Sequence, residues 1–156
     1  MSYTPTLPPG YAYQQDPAGF TFPLPTGSAP WVRSADGTVA ITYSPDNGTH
    51  KVIFGVTPGQ GYSPMQHAQN MQQMVAVKDH TYQEVSMLSD LFHGYLGTRW
   101  EYTYVAQGGG GPHHAIEQLY KDATGTEYDI LVDYPAPDWN TGFQRFLDIT
   151  GGFSAP

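Results

Sequence analysis

His113 and His114 stand side by side after four glycines, in the stretch QGGGGPHH, and they are the first residues whose type could do chemistry. Imidazole changes charge near neutral pH and is a common metal ligand. Either histidine, with Asp133 as an orienting acid, could serve a small hydrolase. Neighbours on an extended strand point to opposite faces, so the pair does not readily hold one ion between them. The plainer reading is a polar pair beside a turn. His50, His67, His80 and His93 occur singly, without a His-x-x-x-His spacing or an adjacent carboxylate at ligand spacing, although folding can gather distant residues. With no cysteine in 156 residues there is no thiolate nucleophile, no disulfide and no cysteine metal site. The sequence therefore predicts no metal, no cofactor and no catalytic residue.

The acids that could act in proton transfer are Glu101, Glu117, Glu127, Asp129 and Asp133. Strand alternation puts Glu127, Asp129 and Asp133 on one face with Leu131, and the plain expectation is a solvated acidic face. No Gly-x-Ser-x-Gly elbow is present. Glycines 108–111 could cradle an anion, but phosphate loops lead into a helix, whereas Pro112 and a strand pattern follow here. Aromatic rings remain: Trp100, Tyr102 and Tyr104 share one face of their strand, and Tyr120 and Tyr134 belong to neighbouring strands. Twelve tyrosines against seven phenylalanines imply rings with a polar tip at a solvent rim, a suitable contact surface for a small molecule, a cell-wall fragment or a protein. The expected binding region is Trp100, Tyr102, Tyr104, Gly108, Gly109, Gly110, Gly111 and Tyr120, a flexible loop beside rigid rings.

The elements that must position these residues read as an α+β domain. TVAITYS (38–44) and HKVIFGV (50–56) form a hairpin around Asn47-Gly48, whose residue types favour the positive φ of a tight turn. Strand patterns recur at 19–24, with Pro23 suiting an edge, and at 81–88, 98–106, 113–121 and 126–134. Ser63-Pro64 starts a helix whose stripe of Met65, Ala68, Met71, Met74 and Val75 runs to Val77. A closing helix over 138–149 carries Trp139, Phe143, Phe146 and Leu147, with Asp138 as its cap. These patterns predict an antiparallel sheet of six or seven strands flanked by helices. Residues 1–15, with Pro5, Pro8 and Pro9, read as a flexible lead such as remains when a domain is cut from a larger protein, and 16–156 as one domain.

Six basic against fourteen acidic residues give a net charge of −8, which disfavours nucleic acid and anionic lipid surfaces. No run approaches the roughly 20 apolar residues of a membrane span, and MSYTPTLPPG lacks the features of a signal peptide, so no direct membrane insertion is expected.

Three segments, DPAGFTFPLPTG before Trp31, GYLGTRWEYTYV, and DWNTGFQRFLDITGGF, carry a resemblance to the extracytoplasmic C-terminal domain of actinobacterial serine/threonine protein kinases and related lipoproteins. TGSAPWVR departs from that family by two extra residues before Trp31. The resemblance extends from Asp16 to Phe153. It implies a PsbP-like α/β/α sandwich outside the cytoplasm, tethered to the plasma membrane in the parent protein, and a sensor that binds a ligand or partner. No kinase phosphate loop, His-Arg-Asp or Asp-Phe-Gly occurs, so the chain itself is expected to catalyse nothing. The alternative from another class is a structural or assembly module pairing through an exposed strand edge such as 19–24.

Overall fold

The computed structural model describes residues 3–27 and 29–156. Its strands are β1 (Tyr11–Gln15), β2 (Thr21–Pro25), β3 (Val32–Asp36), β4 (Ala40–Ser44), β5 (Lys51–Thr57), β6 (Gln83–Phe92), β7 (Tyr95–Ala106), β8 (Gly111–Lys121) and β9 (Glu127–Pro135). Helix α1 (Pro64–Lys78) lies between β5 and β6, and α2 (Trp139–Gly152) closes the chain. Strands β3 to β9 form one antiparallel sheet in the order β3-β4-β5-β9-β8-β7-β6, while β1 and β2 pair separately.

Local chemistry accounts for most of these elements. Asn47 and Gly48 both take positive φ in the connection of β4 to β5. The Ser63 hydroxyl accepts from the Gln66 amide at 3.1 Å, and Pro64 occupies the first turn of α1, where its missing donor costs nothing. Alternation sorts the side chains of the sheet. Ile116, Ile130, Val132, Val52 and Phe54 pack with Phe146 and Ile149 of α2 and with Phe20 and Phe22 beside β2, forming the main core. Trp100, Tyr102 and Ala115 point the other way, toward Met71 and Val75 of α1.

The DPAGF stretch is a structural hub. Asp16 Oδ1 accepts from the Ala18 amide at 2.9 Å, Arg33 Nε lies 2.8 Å from Oδ2, and the Tyr43 hydroxyl donates to the same oxygen at 2.6 Å. This fixes the β1–β2 turn against the sheet and delivers Phe20 and Phe22 to the core, where both are fully buried.

Three expectations are corrected. The lead over 1–15 is tied down from residue 3 on: the Tyr3 hydroxyl donates to Gly151 O at 2.6 Å, the Thr6 amide donates to the same oxygen, and Tyr11–Gln15 is a strand. The strand expected at 19–24 is not an edge of the large sheet, because it pairs with β1 and bridges Ser154 through Thr21. Asp138 makes no side-chain cap on α2, its carboxylate being held by His50 Nε2 at 2.7 Å. The lengthened loop before Trp31 includes Ser28, which lies outside the described residues.

His50 also meets Asp46 through Nδ1 at 2.5 Å. Burial alone would lower its pKa, but the hydrogen bonds to Asp138 and Asp46 prevail and raise it above the ordinary histidine value. A histidine raised on folding contributes stability that is complete below its unfolded pKa of about 6.5 and fades as pH climbs through the folded value. The triad is partly exposed, so the contribution is screened to about 0.5–1 kcal/mol. His50→Gln should therefore melt below wild type at pH 5.5 and match it at pH 9, as read by thermal unfolding across that range.

Candidate functional site

The face of the sheet beneath α1 gathers the polar chemistry of the chain. Along β9 it presents Glu127, Asp129, Leu131 and Asp133, and the register places Ala115, Glu117 and His113 of β8 and Trp100, Tyr102 and Tyr104 of β7 beside them. This is the acidic face that alternation predicts, but it is not solvated. Glu127 is 0% exposed and Glu117 7% exposed, because α1 lies across the strands.

His67, in the first turns of α1, reaches down to this face and hydrogen-bonds Glu127 through Nδ1. Donor atoms of His67, Glu127 and Asp129 all lie within 4.8 Å of one another. Oε2 of Glu127, Oε2 of Glu117 and Oδ1 of Asp129 are shielded from solvent and have no hydrogen-bond partner. Such crowding moves the proton equilibria. Burial pushes Glu117 up to about 7, with His67 opposing and Glu127 adding to the rise. Burial drives Asp129 well above the usual carboxylate range, reinforced by the charges of Glu117 and Glu127. The bond to Glu127 outweighs burial at His67 and raises it.

A second group occupies the other end of the face. His113 Nδ1 lies 2.6 Å from Asp133 Oδ1, and the Tyr104 hydroxyl donates to Asp133 Oδ2. His114 points to the opposite face, where Nε2 meets Glu101 at 2.6 Å and the ring stacks on Trp139 with centroids 4.0 Å apart. His113 and Asp133 thus form the orienting half of a hydrolytic triad. Among the described residues the hydrogen bonds of His113 include no serine or threonine hydroxyl.

Between α1 and the strands runs a groove of about 310 Å³, walled by Met71, Met74, Val75 and Lys78 on the helix and floored by Trp100, Tyr102, Glu117 and Leu131. The Trp100 indole donates to the Tyr82 hydroxyl at 3.0 Å, which fixes the ring. The helix above is thinly packed. Only Pro64 and Ala68 of it are buried, while Met74 is 60% and Val77 77% exposed.

The residues expected to form the binding region are therefore divided. Trp100 and Tyr102 floor the groove, and Tyr104 lies further along the same strand face. Tyr120 is corrected to the opposite face: it pairs with Gly97 and packs in the main core against Phe92 and Tyr128. Gly108, Gly109, Gly110 and Gly111 belong to a short hairpin turn in which Gly108, Gly109 and Gly111 adopt positive φ, a backbone shape that explains glycine without a ligand. His67 and Asp129 gain a place that the sequence reading did not give them. The available signal was spacing, since His67 lies four and seven residues before Met71 and Met74 in the stripe of α1.

Residues 12–155 match the family described as "Serine/threonine kinase C-terminal domain". No curated protein matches the chain. Among solved structures, the cyanobacterial PsbP protein CyanoP of Synechocystis sp. PCC 6803 is similar with a TM-score of 0.68 at 12% identity, over 94% of this chain and 93% of its own. LpqN of Mycobacterium tuberculosis, described as involved in cell envelope biogenesis, gives 0.58 at 13% identity, over 98% and 90%. At these identities the likeness shows the fold, a PsbP-like arrangement of one antiparallel sheet between helices. Among the described residues no helix is long and apolar enough to cross a membrane.

Proposed function

Because the chain belongs to the family of serine/threonine kinase C-terminal domains, an accessory domain rather than the catalytic one, we propose that it is a ligand-binding sensor facing outside the cell and tethered to the plasma membrane through its kinase. The observation that carries this reading is the groove between α1 and the sheet. Its floor is rigid, its walls are methionines that repack at little cost, and the helix above is held by few buried contacts. That combination suits a ligand with an apolar part and one polar group, which would meet Glu117 or Lys78. A small molecule or a cell-wall fragment fits this description, and the envelope role stated for LpqN supports the same compartment. On this reading Trp100 and Tyr102 carry the site, and Tyr104 lies beyond the groove on the same strand face.

The test is calorimetric titration of the chain with soluble peptidoglycan fragments. Met74→Glu changes an exposed wall residue, so the fold survives and affinity falls at least tenfold. Val32→Glu, on the exposed strand β3, leaves affinity unchanged. Equal affinity in both variants would place the site elsewhere.

A second reading rests on β6, one of the two edge strands of the large sheet, where Val85, Leu88 and Leu91 are exposed together with Leu96 of β7. Such an edge can pair with a second copy, which makes an assembly module. The irregular register between Glu84 and Ser86 works against continuous pairing. A dimer in analytical ultracentrifugation that Leu88→Lys dissolves would favour this reading over the sensor.

A further inference from the structure

We propose that His67, Glu127 and Asp129 form a binding site for one divalent transition-metal ion that pins helix α1 to strand β9. One imidazole nitrogen and two carboxylate oxygens converge there within 4.8 Å. A zinc ion with bonds of about 2.0–2.2 Å holds tetrahedral ligands roughly 3.3–3.6 Å apart, so the set forms by small side-chain rotations that part His67 from Glu127 and draw in the outlying oxygen. The cluster carries an independent mark of a missing partner. Glu127 is 0% exposed and spends only Oε1 on His67, leaving Oε2 shielded and unbonded. Glu117, 7% exposed and on the same face, also keeps Oε2 unbonded. Buried acceptors are almost always satisfied, and one imidazolium at His67 balances only one of the carboxylates gathered here. A dication answers both demands at once, and three protein ligands leave a fourth position open to water.

The donor set selects the metal. Imidazole with carboxylates favours zinc over magnesium or calcium, which prefer oxygen alone. The location gives the ion a structural consequence. Helix α1 buries only Pro64 and Ala68, so a bond from His67 to β9 would make the docking of the groove's outer wall depend on the metal. The inference goes beyond the groove reading and is tested without any groove ligand.

The experiment titrates chelator-treated full chain with Zn²⁺ by calorimetry, with Mg²⁺ as comparison, and follows thermal unfolding in parallel. The expected result is one equivalent of Zn²⁺, a higher melting temperature, and no response to Mg²⁺. His67→Gln and Asp129→Asn should each weaken Zn²⁺ binding at least tenfold. His50→Gln, which removes the exposed Asp46–His50–Asp138 cluster as a rival site, should leave it unchanged. Asp129 is partly exposed, so its variant carries the test if His67→Gln does not fold by circular dichroism. Absence of stoichiometric Zn²⁺ binding, or binding lost in His50→Gln and retained in Asp129→Asn, overturns the proposal.

Discussion

Phe54→Ala is expected to lower the stability of the domain by about 3–5 kcal/mol, the usual cost of emptying a phenylalanine site in a packed core. Phe54 stands where every layer on the α2 side meets. Its ring centroid is 4.7 Å from Phe20, 4.5 Å from Phe22 and 6.1 Å from Phe153, so it joins β5 to the β1–β2 hairpin and to the chain end. None of these neighbours can collapse into the hole without breaking the hairpin's seat, because Asp16 fixes the turn that carries Phe20. Urea unfolding should show a lower midpoint with an unchanged slope. A loss under 1 kcal/mol would mean that this core is not the one holding the sheet.

Asp16→Ala should cost about 2–4 kcal/mol near neutral pH. Its carboxylate is fully buried and binds Arg33, Tyr43 and the Ala18 amide, so removal strands the Tyr43 hydroxyl inside the protein. Arg33 is one-third exposed, and water recovers part of its loss. Burial would raise the pKa of Asp16, but the bonds from Arg33, Tyr43 and Ala18 hold it below the usual carboxylate range. A carboxylate depressed on folding contributes stability that is complete above its unfolded pKa, about 3.9, and is lost as pH falls through the folded value. The gap between wild type and variant should therefore be full at pH 7 and shrink progressively as pH falls below about 3.9. Denaturant midpoints at both ends of that range measure it, and a gap independent of pH would contradict the assignment.

The legible parts of the fold were those with local signals. Asn47-Gly48 marked a hairpin turn, Ser63-Pro64 started α1, and alternation put Glu127, Asp129 and Asp133 on one face, as the register has them. Strand β3 was not legible because it is exposed on both faces and carries no hydrophobic period. Strand β1 was masked by the prolines before it, and its partner is fixed by the Asp16 network rather than by pattern. Tyr120, expected in the binding region, lies on the other face because parity across a hairpin depends on the length of the turn. Ala106 pairs with Gly111, so even-numbered residues of β7 meet odd-numbered ones of β8, and Tyr120 falls opposite Gly97.

The acidic face was misjudged for a different reason. Alternation says which side chains share a face but not which face a helix will cover. His67 and Glu127 lie 60 residues apart, and only the docking of α1 across β7 and β8 brings imidazole to carboxylate. The same crossing leaves the groove over Trp100 and Tyr102, so site and helix are one consequence of how α1 docks.

A ligand seated in this groove must perturb the residues that line it. The most direct test is amide and methionine-methyl NMR of the chain during addition of soluble peptidoglycan fragments and of a set of small aromatic and aliphatic fragments. The expected shifts centre on Met71, Met74, Val75, Trp100 and Tyr102 and fade toward the α2 face. Shifts centred instead on the cleft of about 360 Å³ between Tyr3, His93 and Tyr120, or no shifts at all, would contradict it.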